Sequence, residues 1–175
     1  MAESNETGVD CGTGGAECQM PEPTAEHAAL MESVGAWDVD CTYFMGPGEE
    51  MKVQAKETVE AVGAFWTVSL FQSEMMGTPF TGRCTLGYDP NSGKWVGTWI
   101  DSMMPHMCVM EGGYDADGKV LSLLSEGLAP GGAGLAPYRS AIEKLDDGKR
   151  RFEMFVTLPD VGEVKMFTYI YSRPE

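Results

Sequence analysis

The feature that most constrains the fold is a long series of short segments in which apolar and other residues alternate with a period of two. Gly, Pro, Asn and Asp interrupt this series about every ten residues, which is typical of antiparallel sandwiches and barrels. The ten predicted strands lie at residues 37–44, 51–59, 65–74, 80–88, 94–102, 106–114, 120–126, 138–145, 151–156 and 163–171. Ten hairpin-linked strands predict an all-β, up-and-down antiparallel barrel, because closure removes the exposed edges of the sheet. A barrel of this size has room inside for a small ligand.

One short helix is expected before the first strand, within residues 23–35. Thr24 is a candidate N-cap, and Gly35 is a natural C-terminal stop. Between them, Leu30, Met31 and Val34 share one face of the segment, so that face is expected to pack on the barrel.

Residues 1–22 differ in composition from the rest of the chain. They contain five acidic residues but no Lys, Arg, Leu, Ile or aromatic residue. Such a segment cannot bury enough apolar surface to offset its ordering entropy. We therefore expect a disordered acidic tail at 1–22 and a barrel domain at 23–175. Cys11 and Cys18 in this tail have a spacing that fits neither a zinc knuckle nor a Cys-x-x-Cys redox pair.

Charge and hydropathy exclude several classes of partner. The formal net charge of −15 would repel nucleic-acid phosphates and anionic lipid surfaces, so neither a nucleic acid nor a membrane is expected as a partner. No apolar run approaches the roughly 18–20 residues that span a bilayer. The first residues lack the basic and apolar regions of a secretory signal, which predicts a cytoplasmic location.

The common enzyme motifs do not occur in the sequence. Its only histidines, His27 and His106, lie outside any Gly-x-Ser-x-Gly context, and no glycine-rich phosphate loop precedes a helix. The sequence therefore favours a non-catalytic protein, and no cofactor is expected.

Residues 103–110 combine methionines with a histidine and a cysteine. On an extended strand, Met104, His106, Cys108 and Met110 would point to the same side. Thioether, imidazole and thiol groups suit Cu(I), and His or Met can ligate haem iron, so copper or haem binding is one hypothesis. The other is that methionine fills a cavity of irregular shape, since ligands along one strand make poor angles at a single metal.

A second group of residues could furnish a binding cavity. Trp95, Trp99 and Asp101 share one face of the fifth predicted strand. If that face points inward, Asp101 needs a partner, for which Arg139 is the candidate. This pair could belong to a ligand site or could be an internal salt bridge that fixes the barrel. The full set of cavity candidates is Trp66, Glu74, Met76, Trp95, Trp99, Asp101, Met104, His106, Met110, Glu126, Arg139 and Glu153.

Several short motifs resemble a known family. Gly35-Ala36-Trp37 is similar to the Gly-x-Trp opening of lipocalin-like (calycin) barrels, and Arg173 matches the basic residue that packs over that Trp and closes the barrel. The further motifs are Glu74-Met75-Met76-Gly77, Leu86-Gly87-Tyr88-Asp89-Pro90, Gly97-Thr98-Trp99-Ile100-Asp101-Ser102, Gly113-Tyr114-Asp115, Phe152-Glu153-Met154 and Tyr171-Ser172-Arg173. In this order they resemble the bacterial family catalogued as domain of unknown function 1579, over about residues 23–174. The resemblance implies a calycin-like barrel closed by Trp37 and Arg173, and it implies no activity.

These observations lead to one preferred hypothesis and two alternatives. The preferred one is a barrel that binds a small hydrophobic or amphipathic molecule in its cavity. The first alternative is the copper or haem protein described above. The second is a structural or interaction protein that forms a homodimer through the barrel wall, because the fifth strand is apolar on both faces.

Overall fold

The computed structural model describes residues 20–132 and 134–175. It contains one helix, α1 (Ala25–Met31), and ten strands. The strands are β1 (Gly35–Gly46), β2 (Glu49–Val62), β3 (Trp66–Met75), β4 (Thr78–Asp89), β5 (Lys94–Asp101), β6 (Cys108–Tyr114), β7 (Val120–Leu128), β8 (Leu135–Lys144), β9 (Arg150–Leu158) and β10 (Gly162–Ser172). Most of the predicted tail lies outside the described residues.

The strands form a closed antiparallel barrel in which each strand pairs with its neighbours in sequence and β1 pairs with β10. The sequence-based prediction of an up-and-down barrel with one short helix is therefore confirmed. The described residues contain no helix that combines the length and the apolar character needed to cross a membrane.

The up-and-down order divides the ten strand ends into two groups. We call one group the helix end: it carries α1 and the β2–β3, β4–β5, β6–β7 and β8–β9 turns. We call the opposite end the mouth: it carries the β1–β2, β3–β4, β5–β6, β7–β8 and β9–β10 connections. Helix α1 packs against β3 and β4 at the helix end of the barrel.

His27 fixes the helix in place. Its Nδ1 accepts a hydrogen bond from the backbone N–H of Thr24 at 2.9 Å, and its Nε2 lies 3.0 Å from the backbone oxygen of Tyr88. The ring of Phe65 packs edge-on against the imidazole. The histidine is thus used at both nitrogens to join the start of α1 to the end of β4.

Trp37 and Arg173 lie against each other at the helix end. The guanidinium carbon of Arg173 is 3.7 Å from the centroid of the Trp37 ring, and Arg173 also donates to the backbone oxygen of Glu32. Gly35 has a φ of +119°, and a Cβ there would lie 2.7 Å from Arg173 Nη1. The glycine of the Gly-x-Trp motif is thus required both by its backbone conformation and by the space that Arg173 occupies.

The buried apolar residues form two separate clusters. The larger joins β1, β2, β3 and β10 and includes Val39, Phe71 and Tyr169. The smaller joins α1 to β5 and β7, through Leu30, Trp95, Leu121 and Leu123. A main core with a smaller satellite cluster is usual in compact domains.

Candidate ligand site inside the barrel

Part of the inner surface towards the mouth is apolar but only half-buried. Trp99, Met110, Phe152, Met154 and Phe167 lie opposite buried or inward-facing residues in the strand register. All five nevertheless keep intermediate solvent exposure. Side chains that point into a solidly packed barrel would be fully buried. These five therefore leave apolar surface accessible inside the barrel, although other inward residues of the same half are fully buried.

Aromatic rings line one side of the interior. Phe71 stacks on Tyr169 at 5.5 Å between centroids, and Tyr169 stacks on Phe167 at 4.6 Å. Phe152 continues the stack on Phe167 at 6.0 Å, and Trp99 meets Phe71 edge-on at 6.4 Å. Phe152 and Phe167 lie on neighbouring strands, whereas Phe71 on β3 reaches Tyr169 on β10 past β1 and β2, and Trp99 on β5 reaches Phe71 past β4. The rings therefore extend across part of the interior as well as lining it.

An ion pair lies inside the barrel towards the helix end. Arg150 Nη2 donates to Glu57 Oε2 at 2.7 Å, and Glu57 is only 8% exposed. The guanidinium also lies 4.2 Å from the Tyr171 ring centroid and 4.8 Å from that of Trp37. Taking two charges out of water is costly unless they are paired, and here the pair and the two ring faces provide that compensation.

Ser69 adds an unpartnered hydroxyl beside this pair. It is 6% exposed, and its Oγ has no hydrogen-bond partner among the described residues. Ser69 lies opposite Val59, two residues along β2 from Glu57. We call Glu57, Ser69 and Arg150 the polar floor.

The other titratable groups around the floor are neutral at pH 7. Burial raises the pKa of the Cys84 thiol to about 12, and the nearby charge of Glu57 acts in the same direction. Burial likewise raises the pKa of Tyr171 and of Tyr169, whose hydroxyl bonds that of Tyr43 at 2.6 Å. Cys84 lies opposite Ser69 and keeps intermediate exposure although it faces inward. Cys84 is therefore an inward side chain beside the floor that keeps exposed surface, whereas Glu57 and Ser69 are buried.

Asp101 lies at the mouth. Its carboxylate accepts hydrogen bonds from Trp99 Nε1 at 3.0 Å and from the backbone N–H groups of Met103 and Met104 at 2.8 and 2.9 Å. It thereby fixes both the indole ring and the start of the β5–β6 loop.

The expectation that Arg139 pairs with Asp101 is wrong. Arg139 faces outward on β8, where Nε and Nη2 donate to the two carboxylate oxygens of Glu163, each at 2.7 Å. Its guanidinium also lies over the Phe155 ring. The physical reason is strand phase: Arg139 follows Tyr138 and precedes Ser140, which are the inward positions of β8.

Five further cavity candidates also lie outside the interior. Trp66 packs on the outer side of Gly87, and Glu153 pairs with Lys165 on the outer wall. Glu74 and Glu126 are exposed and out of phase with the inward residues of their strands, and Met76 lies in a turn with 88% exposure. Of the predicted set, the structure brings together Trp99, Asp101 and Met110 around the mouth half of the interior. It places Trp95 inward but in the packed cluster at the helix end.

The Met-, His- and Cys-containing segment is not one extended strand. Strand β6 begins only at Cys108, so Met104 and His106 belong to the preceding loop. Met104 is exposed, and His106 Nε2 lies 3.3 Å from the backbone oxygen of Glu126. Within the described ranges, no three His, Cys, Asp or Glu side chains are grouped so that they could hold a metal ion. The single-strand geometry on which the copper or haem hypothesis rested is therefore incorrect.

Two concavities lie on the outside of the wall. One is lined by Arg139, Glu143, Arg151 and Glu153, whose charges are paired with one another or with β10. The other, of about 410 Å³, lies over β2 and β3 beside Lys56 and Glu74. Most of their lining residues are charged or polar, which distinguishes them from the apolar interior.

The sequence reasoning overlooked Glu57 and Arg150, although a signal for them was present. Glu57 falls in the same phase as Met51, Val53, Ala55 and Val59, so it interrupts an otherwise apolar face. Arg150 is likewise in phase with the inward residues of β9. An acid and a base that each interrupt an apolar inward face indicate a buried pair.

With this geometry established, the chain was compared with known proteins. A family model described as "Protein of unknown function (DUF1579)" matches residues 22–173. The chain belongs to this family. The resemblance inferred from the sequence motifs is thus confirmed. No curated protein matches the sequence significantly.

Two solved structures of the same fold illustrate how widely it is shared. Rv2717c from M. tuberculosis aligns with a TM-score of 0.60 at 15% identity, over 88% of this chain and 100% of that one. The S-type phycobiliprotein lyase CPES from Guillardia theta aligns with a TM-score of 0.57 at 13% identity, over 87% and 99%. At these identities the similarity concerns the fold alone.

Proposed function

We propose that this protein binds a small hydrophobic or amphipathic molecule in the mouth half of its barrel, without catalysing a reaction on it. The observation that carries the proposal is the half-exposed apolar lining formed by Trp99, Met110, Phe152, Met154 and Phe167. Each Å² of apolar surface that a ligand covers contributes roughly 25 cal/mol, so such a lining favours an apolar occupant.

Two further observations support this function. The half-exposed residues Trp99, Phe152 and Phe167 pack against the larger buried cluster, which holds the lining in place. In addition, one protein of the same fold is a phycobiliprotein lyase by name, so a barrel of this fold can have a role other than a structural one.

The chemistry of the interior favours binding over catalysis. The raised pKa of Cys84 keeps its thiol protonated, which makes it a weak nucleophile. His27 uses both ring nitrogens to hold α1, and His106 lies in a loop at the mouth. Neither histidine is placed beside Cys84 as the base of a nucleophilic pair.

A neutral fluorescent probe tests the proposal. N-phenyl-1-naphthylamine gains emission when it enters an apolar cavity, and we expect saturable binding to the full chain. Cys84→Phe places a ring in the interior and should weaken probe binding by about tenfold or more, since it removes apolar volume. Native mass spectrometry of protein purified from its own host should show a retained small molecule.

Arg83→Phe is the matched control, because Arg83 is the exposed neighbour of Cys84 on the same strand. It adds the same ring to the outer face and should leave probe affinity unchanged. Absence of saturable binding in the wild-type protein, or an equal loss in both variants, would show that the interior is not the binding site.

A second candidate role is supported by a separate observation. Ile100, Val109 and Leu124 are exposed and lie diagonally adjacent on the outer faces of β5, β6 and β7. This row of apolar side chains suits self-association through the barrel wall. Sedimentation analysis tests it: a dimer that Val109→Lys converts to a monomer supports the role, and a wild-type monomer excludes it.

A further inference from the structure

The polar floor indicates which kind of polar end a ligand would carry. Glu57 and Arg150 form a single hydrogen bond between Nη2 and Oε2, whereas Arg139 and Glu163 on the outer wall form two. The inner pair therefore leaves part of the guanidinium fork and one carboxylate oxygen free of the mutual contact. The Ser69 hydroxyl, which has no hydrogen-bond partner among the described residues, lies diagonally opposite Glu57 in the strand register.

The charges of the floor cancel. Glu57 contributes −1 and Arg150 contributes +1, and the nearby Cys84 and Tyr171 are neutral at pH 7. A carboxylate or an ammonium group that reached the floor would bring a buried charge without a counter-charge. It would otherwise have to displace one member of the existing pair, which would then be left uncompensated.

The floor lies at a depth that a medium-length chain can span. Glu57 and Met51 are six residues apart on β2, so with the usual rise and strand tilt the floor is about 15 Å below the level of Met51. Phe71 lies directly opposite Glu57 in the strand register and stacks on Tyr169, so these buried rings cover the floor on that side. An apolar ligand body would reach the floor on the side of Cys84, which faces inward and keeps exposed surface.

We infer that the floor of Glu57, Ser69 and Arg150 is a recognition site for an uncharged polar end, such as a primary alcohol or amide, on a ligand with an apolar body. This inference rests on the proposed function and specifies its ligand class. Fatty acids and alkylamines are selected against by the neutral pair, while hydroxyl and amide groups satisfy the free donors and acceptors.

A matched set of ligands tests the inference in the wild-type protein. At pH 7.5, 1-dodecanol, dodecanoate and dodecylammonium carry the same chain with a neutral, a negative and a positive end. We expect dodecanol to displace N-phenyl-1-naphthylamine at a concentration at least about tenfold lower than either charged compound, because only the neutral end avoids an unpaired buried charge.

Single substitutions in the floor should change this order in opposite directions. Glu57→Gln leaves Arg150 without its counter-charge and should raise the affinity for dodecanoate by about tenfold or more. Arg150→Gln should raise the affinity for dodecylammonium by a similar factor. Ser69→Ala removes one hydroxyl and should lower the affinity for dodecanol by about fivefold, while leaving the affinity for N-phenyl-1-naphthylamine unchanged.

The possible outcomes separate the inference from the function on which it rests. If dodecanoate or dodecylammonium displaces the probe from the wild-type protein at the same concentration as dodecanol, the floor does not select neutral ends, although the barrel still binds ligands. If the probe itself does not bind, the proposed function fails. The wild-type ligand series and Ser69→Ala decide the question even if the charge variants do not fold, which circular dichroism would show.

Discussion

The two ends of the barrel differ in what their turns expose. At the helix end, Asp89, Asp115 and Asp147 begin or form tight turns, and each accepts a hydrogen bond from a backbone N–H nearby in its own turn. Exposed apolar side chains lie beside two of the four helix-end turns, as Val62, Trp66 and Tyr114, but at or beside all five connections of the mouth. Those of the mouth are Met45, Met76, Met103, Met104, Met107, Leu135 and Val161.

The interiors behind these turns differ in the same way. Behind the helix end, Trp95, Leu121 and Leu123 are packed under Leu30 of α1. Towards the mouth, some inward side chains are buried and others, such as Trp99, remain half-exposed. The mouth half thus keeps apolar surface that a ligand can cover, in addition to residues whose burial stabilises the fold. Trp95 and Trp99 allow a direct comparison, since both face inward on β5.

The largest expected effect comes from truncating these two tryptophans separately. Trp95→Ala should lower the free energy of unfolding by about 3–5 kcal/mol, because it empties a fully packed site. Trp99→Ala should cost about half as much, since the indole is already half-exposed. Urea unfolding followed by circular dichroism measures both losses without relying on tryptophan emission.

Probe binding should show the reverse order. Trp99→Ala should change the affinity for N-phenyl-1-naphthylamine several-fold, whereas Trp95→Ala should leave it unchanged. If the Ala variant at position 95 is too unstable to study, Trp95→Phe serves the same purpose. Equal losses of stability at both positions would mean that the interior is packed uniformly and that the two ends do not differ.

A smaller effect is expected from two glycines with positive φ, one at each end. Gly48 lies in a mouth turn with φ +79°, and a Cβ there would meet nothing within 4 Å. Gly48→Ala should therefore cost only the backbone strain, about 1 kcal/mol. Gly35→Ala should cost more, about 2–3 kcal/mol, because the new Cβ also pushes Arg173 away from Trp37.

A double-mutant cycle with Arg173→Ala separates strain from contact. The double variant Gly35→Ala, Arg173→Ala should lose less unfolding free energy than the sum of the two single losses, because each substitution disturbs the same stack on Trp37. Gly48→Ala and Arg173→Ala should be additive within about 0.5 kcal/mol. Additivity in both cycles would show that Arg173 does not depend on the glycine.

The barrel could be predicted from the sequence because its strands alternate clearly and its turns carry residues suited to them. Strand phase was readable where apolar residues recur at alternate positions, as along β1 and most of β2. It was not readable along β8, where Ser140 and Ala141 are both buried and the alternation is lost. Arg139 was therefore assigned to the wrong face, on the basis of charge complementarity with Asp101 alone.

The polar floor could not be assembled from the sequence, because it depends on closure of the barrel. Glu57 and Arg150 are distant in the chain and meet across the interior, beneath the stack on Trp37 and Tyr171. Each could have been recognised as an inward charge from its own strand. Their pairing requires the curvature of the closed sheet, which no local pattern contains.

The smallest expected effect concerns the acidic turns of the helix end. The hydrogen bond from the backbone N–H of Lys119 holds the pKa of the Asp115 carboxyl below its ordinary value, and hydrogen bonds from Ser92 and Asn91 do the same for Asp89. A carboxyl group whose pKa is lower in the folded state than in the unfolded state stabilises the fold. This stabilisation is complete above the unfolded-state pKa and is lost as the pH falls through the folded-state pKa. The urea midpoint should therefore decrease between about pH 5 and pH 3.

Asp115→Asn should make that decrease shallower, since it removes one of the titrating groups while an amide oxygen can still accept the bond from Lys119. Asp117→Asn is the control: it removes a charge from the same turn but leaves the bond between Asp115 and Lys119 in place. If the urea midpoint of Asp115→Asn decreases with falling pH as steeply as that of the wild-type protein, protonation of Asp115 does not contribute to the loss of stability. The acidic turns would then contribute to the charge of the helix end but not to its stability.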